Sequence, residues 1–480
     1  MKTNRNIVNA LAMIPYAVTI DRCIEHDHST EFIISWQEPS GDDRICPACG
    51  SNRCVKKDAG STQTVRHLPV GFSGTLITFH KPRFRCKDCG KTFFVKPSWI
   101  APDISVTVFL FVAIQEKLCQ TPLSIAQIAR DTHTSPSIVK NIIRHISLEP
   151  PRSLPESLGI DEFKGATGYY NRNSHRYDTE KYHCVIVDTD QGAVIDILYK
   201  ATYNELFNYF MSFSANSRRN VKFFCMDMRS GFSKVARKCF PHARICIDMF
   251  HVVKLLTSAI SEIRVDEWRR LKKLWGDAHK AMKACQDPDQ KRSLRREALK
   301  LQDNYLLVKN SQKLLVTSPY NEKAYWNHKD DIRHERLEQI SRLSPSITFA
   351  RDALMEFYDI IHLDEFRDRH DGLTNWLNKY LACDCPPVRQ AASSIKIHRK
   401  GIENAWRYKK SNSPTEGLNK KIKDVKRMAF GAHSFENFRK RALLACGATT
   451  FIHHTYTVGK EAASAGEELY IPGGSNSCGH

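Results

Sequence analysis

The chain has 480 residues, 41% hydrophobic and 26% charged, which is the balance of a globular protein with about three domains. Its 72 Lys and Arg against 52 Asp and Glu leave a net charge of +20, which points to a polyanionic partner, with nucleic acid ahead of anionic membrane. No apolar run is long enough to span a bilayer, which excludes a membrane-spanning helix.

At the start, Lys2 and Arg5 precede IVNALAMIPYAVTI, which loosely imitates a secretory leader. Asn9 and Pro15 interrupt it, and no small-residue cleavage site follows. Several of the sixteen cysteines stand alone in apolar runs (Cys184, Cys225, Cys239) and read as reduced core thiols. A cytoplasmic protein is expected.

CPACGSNRC and FRCKDCGKTFFV carry two Cys-x-x-Cys knuckles, Cys46 with Cys49 and Cys86 with Cys89. Gly follows each second Cys and permits the tight turn that aims both sulfurs at one ion. Four thiolates suit tetrahedral zinc, and the stretch between them reads as a β-hairpin. A redox pair would open a helix in a βαβ setting, which is absent here. Cys54, His67 and His80 are the substitute ligands that the segment offers.

LSIAQIARDTHTSPSIVKNIIRHI follows, with Ile125, Ile128 and Ala129 on one helical face. Ser135 can cap a second helix that buries Ile138, Val139, Ile142 and Ile143. The pair has the form of a helix-turn-helix, whose second helix would offer Ser137, Lys140, Asn141 and Arg144 to double-stranded DNA. An ordinary helical hairpin has the same pattern.

After a linker with Pro150, Pro151 and Pro155, SLGIDEFKG reads as a strand carrying Asp161 and Glu162. Strand alternation points these two acids to opposite faces. A hairpin over YHCVIVDTDQGAVIDILYK, a helix from Tyr203 to Phe213 and a strand ending at Asp227 come next. GFSKVARKCF is a helix, and ARICIDMFHVVKLL is a strand running into another. This order matches a ribonuclease-H-like mixed sheet. Residues 262–405 are rich in Lys, Arg, Glu, Leu and Trp at helical spacing and read as a helical insertion.

KKSNSPTEGLNKKIKDVKRMAFG closes the folded part, with Glu416 set among cations. Glu416 suits the first turn of a helix, where the dipole favours an acid. Asp161, Asp227 and Glu416 together would instead favour magnesium, two ions of which stabilise both oxygens of a phosphoryl displacement.

GIDEFKG, CMDMRSG, IDMFHVVK and the Glu416 stretch together closely resemble the DDE transposases of bacterial insertion sequences, nearest the ISL3 family. The resemblance covers about Cys46 to Phe451. It implies an α+β multidomain chain: an N-terminal zinc-binding module, a helix-turn-helix, and a ribonuclease-H-like sheet domain interrupted by a large helical insertion.

The implied boundaries are 1–98 for the zinc-finger region, 99–150 for the helix-turn-helix and 151–261 for the first part of the catalytic domain. The insertion is then 262–405, the final catalytic helices 406–456 and a flexible tail 457–480. The family's catalytic acids fall on Asp161, Asp227 and Glu416, the last within the Ser-Asn-x-x-x-Glu-x-x-Asn pattern from Ser411 to Asn419. Asp248 and His251 match an accessory acid-x-x-His signature. The implied cofactors are two Mg2+, with Mn2+ able to substitute, and structural Zn2+. The implied partners are terminal inverted repeats and target DNA, bound by a homodimer or higher oligomer, and no membrane. The rival is a non-catalytic zinc and helix-turn-helix regulator.

Overall fold

The structure, a computed structural model, describes residues 18–447 except 39–43, 96, 102, 121–122, 149–150, 152, 166–169, 172–175, 178–181, 322–329 and 429–433. The leader-like stretch before residue 18 and the expected tail 457–480 lie outside the described residues. The chain divides into two compact units. One comprises Met1–Arg152, Glu162–Ala201 and Thr415–His480, the other Ser153–Asp161 and Thr202–Pro414.

The first unit opens with β1 (Val18–His26) and β2 (Ser29–Trp36), followed by β3 (Cys54–Val70), β4 (Ser73–Cys86) and β5 (Thr92–Phe94). The long β3–β4 hairpin is the one expected between the knuckles. β1 and β2 extend it into the order β1-β2-β4-β3, with β5 on β4 and only β2–β4 parallel among these pairs. Phe32, Ile34, Val65, Ile77, Phe79, Trp99 and Ile100 form its core.

α1 (Val108–Cys119), α2 (Ile125–Asp131) and α3 (Pro136–His145) follow. Thr107, Ser124 and Ser135 cap them, each hydroxyl accepting an N–H from three residues on. Ile125, Ile128, Ala129, Val139, Ile142 and Ile143 are buried against α1, as the periodicity predicts.

β6 (Ser157–Lys164) belongs to both units. In the first unit it is followed by the short pair β7 (Tyr170–Asn171) and β8 (Arg176–Tyr177), then the hairpin β9 (Tyr182–Asp188) and β10 (Ala193–Leu198). Asp188 makes the hairpin turn by accepting from Asp190 N at 3.0 Å and Gln191 N at 3.1 Å. In the second unit α4 (Tyr203–Met211) and α5 (Ala215–Asn220) lead to β11 (Phe223–Met226), α6 (Ser230–Cys239) and β12 (Arg244–Ile247). β6, β11 and β12 are parallel, and the strand order is β10-β9-β6-β11-β12.

The helical region begins directly after β12 with α7 (Met249–Ala284), which runs through residue 262 without a break. It continues through α8 (Pro288–Asn310), α9 (Gln312–Val316), α10 (Asp330–Leu343), α11 (Pro345–His362), α12 (Phe366–Leu381) and α13 (Pro386–Tyr408). The sequence reading assigns most of α13 to the insertion, yet α13 packs on β12: Asn404 Nδ2 donates to the Ile245 carbonyl at 2.9 Å. Gly401 makes this approach possible, because a Cβ there would stand 2.5 Å from Ile247 Cγ1. Close packing offsets the cost of about 1 kcal/mol that a mid-helix glycine carries.

α14 (Ser413–Met428) and α15 (Phe435–Cys446) close the chain. Leu418, Ile422, Val425, Phe438 and Ala442 pack on Phe163, Val185, Val187, Val194 and Ile197. Burial of each of the larger side chains among these contributes about 1.5–3 kcal/mol. Asp196, buried on β10, accepts from Arg439 Nε at 2.7 Å and Nη2 at 2.9 Å. Leu444 points into the core of α1, α2 and α3.

Candidate functional site

In the first unit, both knuckles close in the manner the glycines allow. Gly50 and Gly90 adopt φ of 71° and 73°, and their N–H groups donate to the carbonyls of Cys46 and Cys86 at 2.9 and 3.1 Å. The ligand atoms of Cys46, Cys49, Cys86 and Cys89 all lie within 4.8 Å of one another. Cys46 Sγ is 3.6 Å from Cys89 Sγ, and Cys49 Sγ is 3.6 Å from Cys86 Sγ. A tetrahedral zinc with bonds of about 2.3 Å needs sulfurs about 3.8 Å apart, so the donor set fits that ion. Backbone N–H groups at Cys89 and Asp88 pull the Cys86 thiol down to about 6, against the effect of burial.

The substitute ligands are not part of this group of four, although Cys54 packs against Cys46 and Cys86. Cys54 is buried nearby and donates to the Ser51 carbonyl at 3.5 Å. His67 Nδ1 meets Thr107 Oγ1 at 2.9 Å.

On α3, Ser137, Asn141 and Arg144 are exposed and Lys140 is half-buried. Arg144 Nη1 donates to Asn141 Oδ1 at 3.0 Å.

In the second unit Asp227 and Asp248 follow directly on β11 and β12, and Asp161 lies within β6. Phe223, Phe224 and Cys225 pair with Ser157, Leu158 and Gly159. Continued two residues further, that register sets Asp227 level with Asp161. On the other side Met226 pairs with Ile247, and Asp248 N donates to the Met226 carbonyl at 3.0 Å, which sets Asp227 level with Asp248. Neighbouring strands lie about 4.8 Å apart, so these three acids stand in a row where β11 and β12 end beside β6, while among the described residues only the four cysteines are gathered closely enough to hold an ion as they stand.

Asp227 is 8% exposed; its Oδ1 accepts from Arg229 N at 2.8 Å, and Oδ2 lies 3.4 Å from Arg229 Nε. Asp248, 4% exposed, caps α7 by accepting from Phe250 N at 3.3 Å. His251 N donates to the Asp248 carbonyl at 3.1 Å, and its ring packs edge-on to Phe250. The acid-x-x-His pair is therefore a helix start built directly onto the row.

Two residues at this site escape sequence reasoning. Buried Asn412 donates from Nδ2 to the Ile160 carbonyl at 3.1 Å, which fixes the backbone immediately before Asp161. Its only signal is its place beside Ser411 in the Ser-Asn pattern. His398, on α13, feels the charge of Asp227 while burial holds its imidazole below the ordinary range. Nothing local marks it. Glu416, in the first unit, occupies the first turn of α14 and is half-buried.

Comparison with known proteins decides the family. Residues 158–442 match the ISL3 DDE family model described as "Transposase". The chain belongs to the ISL3 transposase family. Residues 42–89 match the family's zinc ribbon, described as the zinc-finger of transposase IS204/IS1001/IS1096/IS1165. The transposase for insertion sequence element IS1001 of Bordetella parapertussis is 24% identical over 410 residues, covering 84% of this chain and 88% of that one. The transposase for IS1557 of Mycobacterium tuberculosis is 24% identical over 437 residues, covering 86% and 87%. The ribbon match and the four clustered thiols together support structural zinc. No helix among the described residues is long and apolar enough to cross a membrane.

Proposed function

We propose that this transposase binds the terminal inverted repeats of its own insertion sequence and cuts and joins DNA with Asp161, Asp227 and Glu416. The observation that carries the reading is the register that levels Asp161 with Asp227 on adjacent parallel strands. Carboxylates brought together from neighbouring strands would repel one another unless a cation stood between them. Oxygen donors of this kind suit magnesium, with manganese as a substitute. Bound there, two such ions would activate water and neutralise charge developing on a scissile phosphate.

Asp161 and Asp227 would hold the cations from the sheet. Glu416 is assigned by the family pattern from Ser411 to Asn419, and it follows Asn412, the ligand of the Ile160 carbonyl, by four residues. Asn412 would set the height of Asp161 on its strand. Asp248 and His251 are accessory, holding the start of α7 against the row. Water attacks phosphorus at the element's end and releases a 3′-hydroxyl, which attacks a target phosphodiester in turn. No Ser or Tyr nucleophile is required.

The strand order, with β6 central and one antiparallel hairpin beside parallel strands, supports a ribonuclease-H-like reading of this sheet. α2 and α3 are read as the helix-turn-helix, with Ser137, Lys140, Asn141 and Arg144 facing base edges and phosphates. Together with the ribbon they would recognise the element's ends, and a dimer or higher oligomer would pair two ends.

Purified protein, magnesium and labelled element ends provide the test. Strand cleavage that disappears in Asp227→Asn supports the assignment. Specific binding without any cleavage under magnesium or manganese would make the protein a regulator instead.

A further inference from the structure

α6, β12 and α13 of the second unit enclose an open cleft of about 470 Å³. Arg237, His242, Arg244, His398 and Lys400 line it, and no carboxylate does. Among the described residues no acid pairs with Arg237, Arg244 or Lys400. Three fixed cations therefore face one concavity with their charge uncompensated, an arrangement that focuses a positive field.

The cleft is built rather than incidental. The Arg244 guanidinium lies over the Tyr408 ring at 4.7 Å, which orients it. Asn404 is tied to the Ile245 carbonyl, and Gly401 lets α13 approach β12 closely enough to form the floor. At the lip Ile397 is 79% exposed, an apolar side chain on α13 beside the cations. Ile247, the residue directly before Asp248, lines the cleft, as does His398, which feels the charge of Asp227, so one end of the cleft adjoins the carboxylate row.

We propose that this cleft is a phosphate track that carries the sugar–phosphate backbone of a DNA strand alongside the carboxylate row. The proposal rests on the reading of that row as the cutting site. A cleft with open lips and cations on both walls suits a chain of repeating charges that enters and leaves. An enclosed small anion would need buried donors that converge on one point. Arg237 and Arg244 on one wall and Lys400 on the other would contact successive phosphates, while Ile397 would lie against a deoxyribose.

The test is the salt dependence of DNA binding by the full chain, measured by anisotropy with a labelled duplex in buffer free of divalent metal. Each lost phosphate contact lowers the slope of log K against log salt by about 0.9. Arg237→Gln, Arg244→Gln and Lys400→Gln combined should lower it by about 2.7. Between about 50 and 200 mM salt the parent should then lose roughly forty-fold more affinity than the triple variant. All three side chains are exposed, so the fold should survive, which a thermal melt checks. Lys396→Gln, an exposed cation on the same helix outside the cleft, is the control and should change the slope little.

An unchanged slope in the triple variant overturns the track. A Lys396→Gln slope lowered by about 0.9 also overturns it, because a diffuse field then explains the effect. Asp227→Asn separates the two ideas. If that variant still cuts DNA, the reading of the row fails, while the salt slope continues to judge the cleft.

Discussion

Arg441 on α15 donates from Nη2 to the carbonyl of Gln120 at 2.8 Å, and also to that of Leu123 at 3.1 Å. These carbonyls end α1 and begin the approach to α2, and Arg441 is only 3% exposed. Burial pulls its guanidinium down to about 10, so it stays charged at neutral pH. Next to it, Lys440 Nζ donates to the Arg144 carbonyl at the end of α3 at 2.9 Å. The last helix thus holds the three-helix group at two points, and Leu444 fills its core.

Arg441→Met should therefore destabilise the first unit by about 2–4 kcal/mol, since it leaves two inward carbonyls without their donor. Residues 1–150 alone lack both Arg441 and Leu444, and should unfold at lower urea than the same helices in the full chain. Equal midpoints for the fragment and the full chain would show that α15 contributes nothing to this group.

One zinc per chain is expected, held by Cys46, Cys49, Cys86 and Cys89. Ligation supplies folding energy to so small a ribbon, so Cys86→Ser should unfold it and weaken binding to element ends. Elemental analysis of the purified protein checks the stoichiometry; a zinc-free, folded ribbon would refute it.

His67 makes the first unit sensitive to acid. Burial holds its imidazole at about 4, against an ordinary 6.5. The folded value lies below the unfolded one, so the unfolded chain binds the extra proton between them. The stability is complete above pH 6.5 and falls as pH drops towards 4. The loss approaches about 3 kcal/mol at pH 4, at 1.36 kcal/mol per unit. Urea midpoints across this window should fall less in His67→Gln, and parallel curves for the two proteins would contradict the assignment.

Glu416→Gln keeps the shape of the side chain and removes its charge. If Glu416 serves only the start of α14, the loss is about 0.3–1 kcal/mol of stability and cleavage survives. If it holds a cation opposite the scissile phosphate, several kcal/mol of transition-state stabilisation go, and cleavage falls about a hundredfold or more. DNA binding should be kept or slightly tightened. Asp424→Asn, on the same helix and ion-paired with Arg427, should be near-silent. Parental cleavage by Glu416→Gln would exclude it as the third carboxylate.

Local chemistry in the sequence was sufficient for the knuckles, because two residues and a glycine make each turn. It was also sufficient for the helix cap at Ser135 and for the main strands and helices from Ser157 to α7, where hydrophobic period and turn residues agree, but not for the short β7, β8 and α5. The assignment of the acids at 161, 227 and 416 rests on the family pattern, since carboxylates at strand ends are common. Tertiary structure decided the rest. β1 and β2 were hidden because their half-exposed faces carry little periodicity, and only the pairing of β2 with β4, and of β1 with β2, makes them part of a sheet. Asn412, His398 and Arg441 act on groups far away in the chain, on the Ile160 carbonyl, the charge of Asp227 and the Gln120 carbonyl. No local pattern encodes such pairs, because their partners become neighbours only when the strands register and the helices pack.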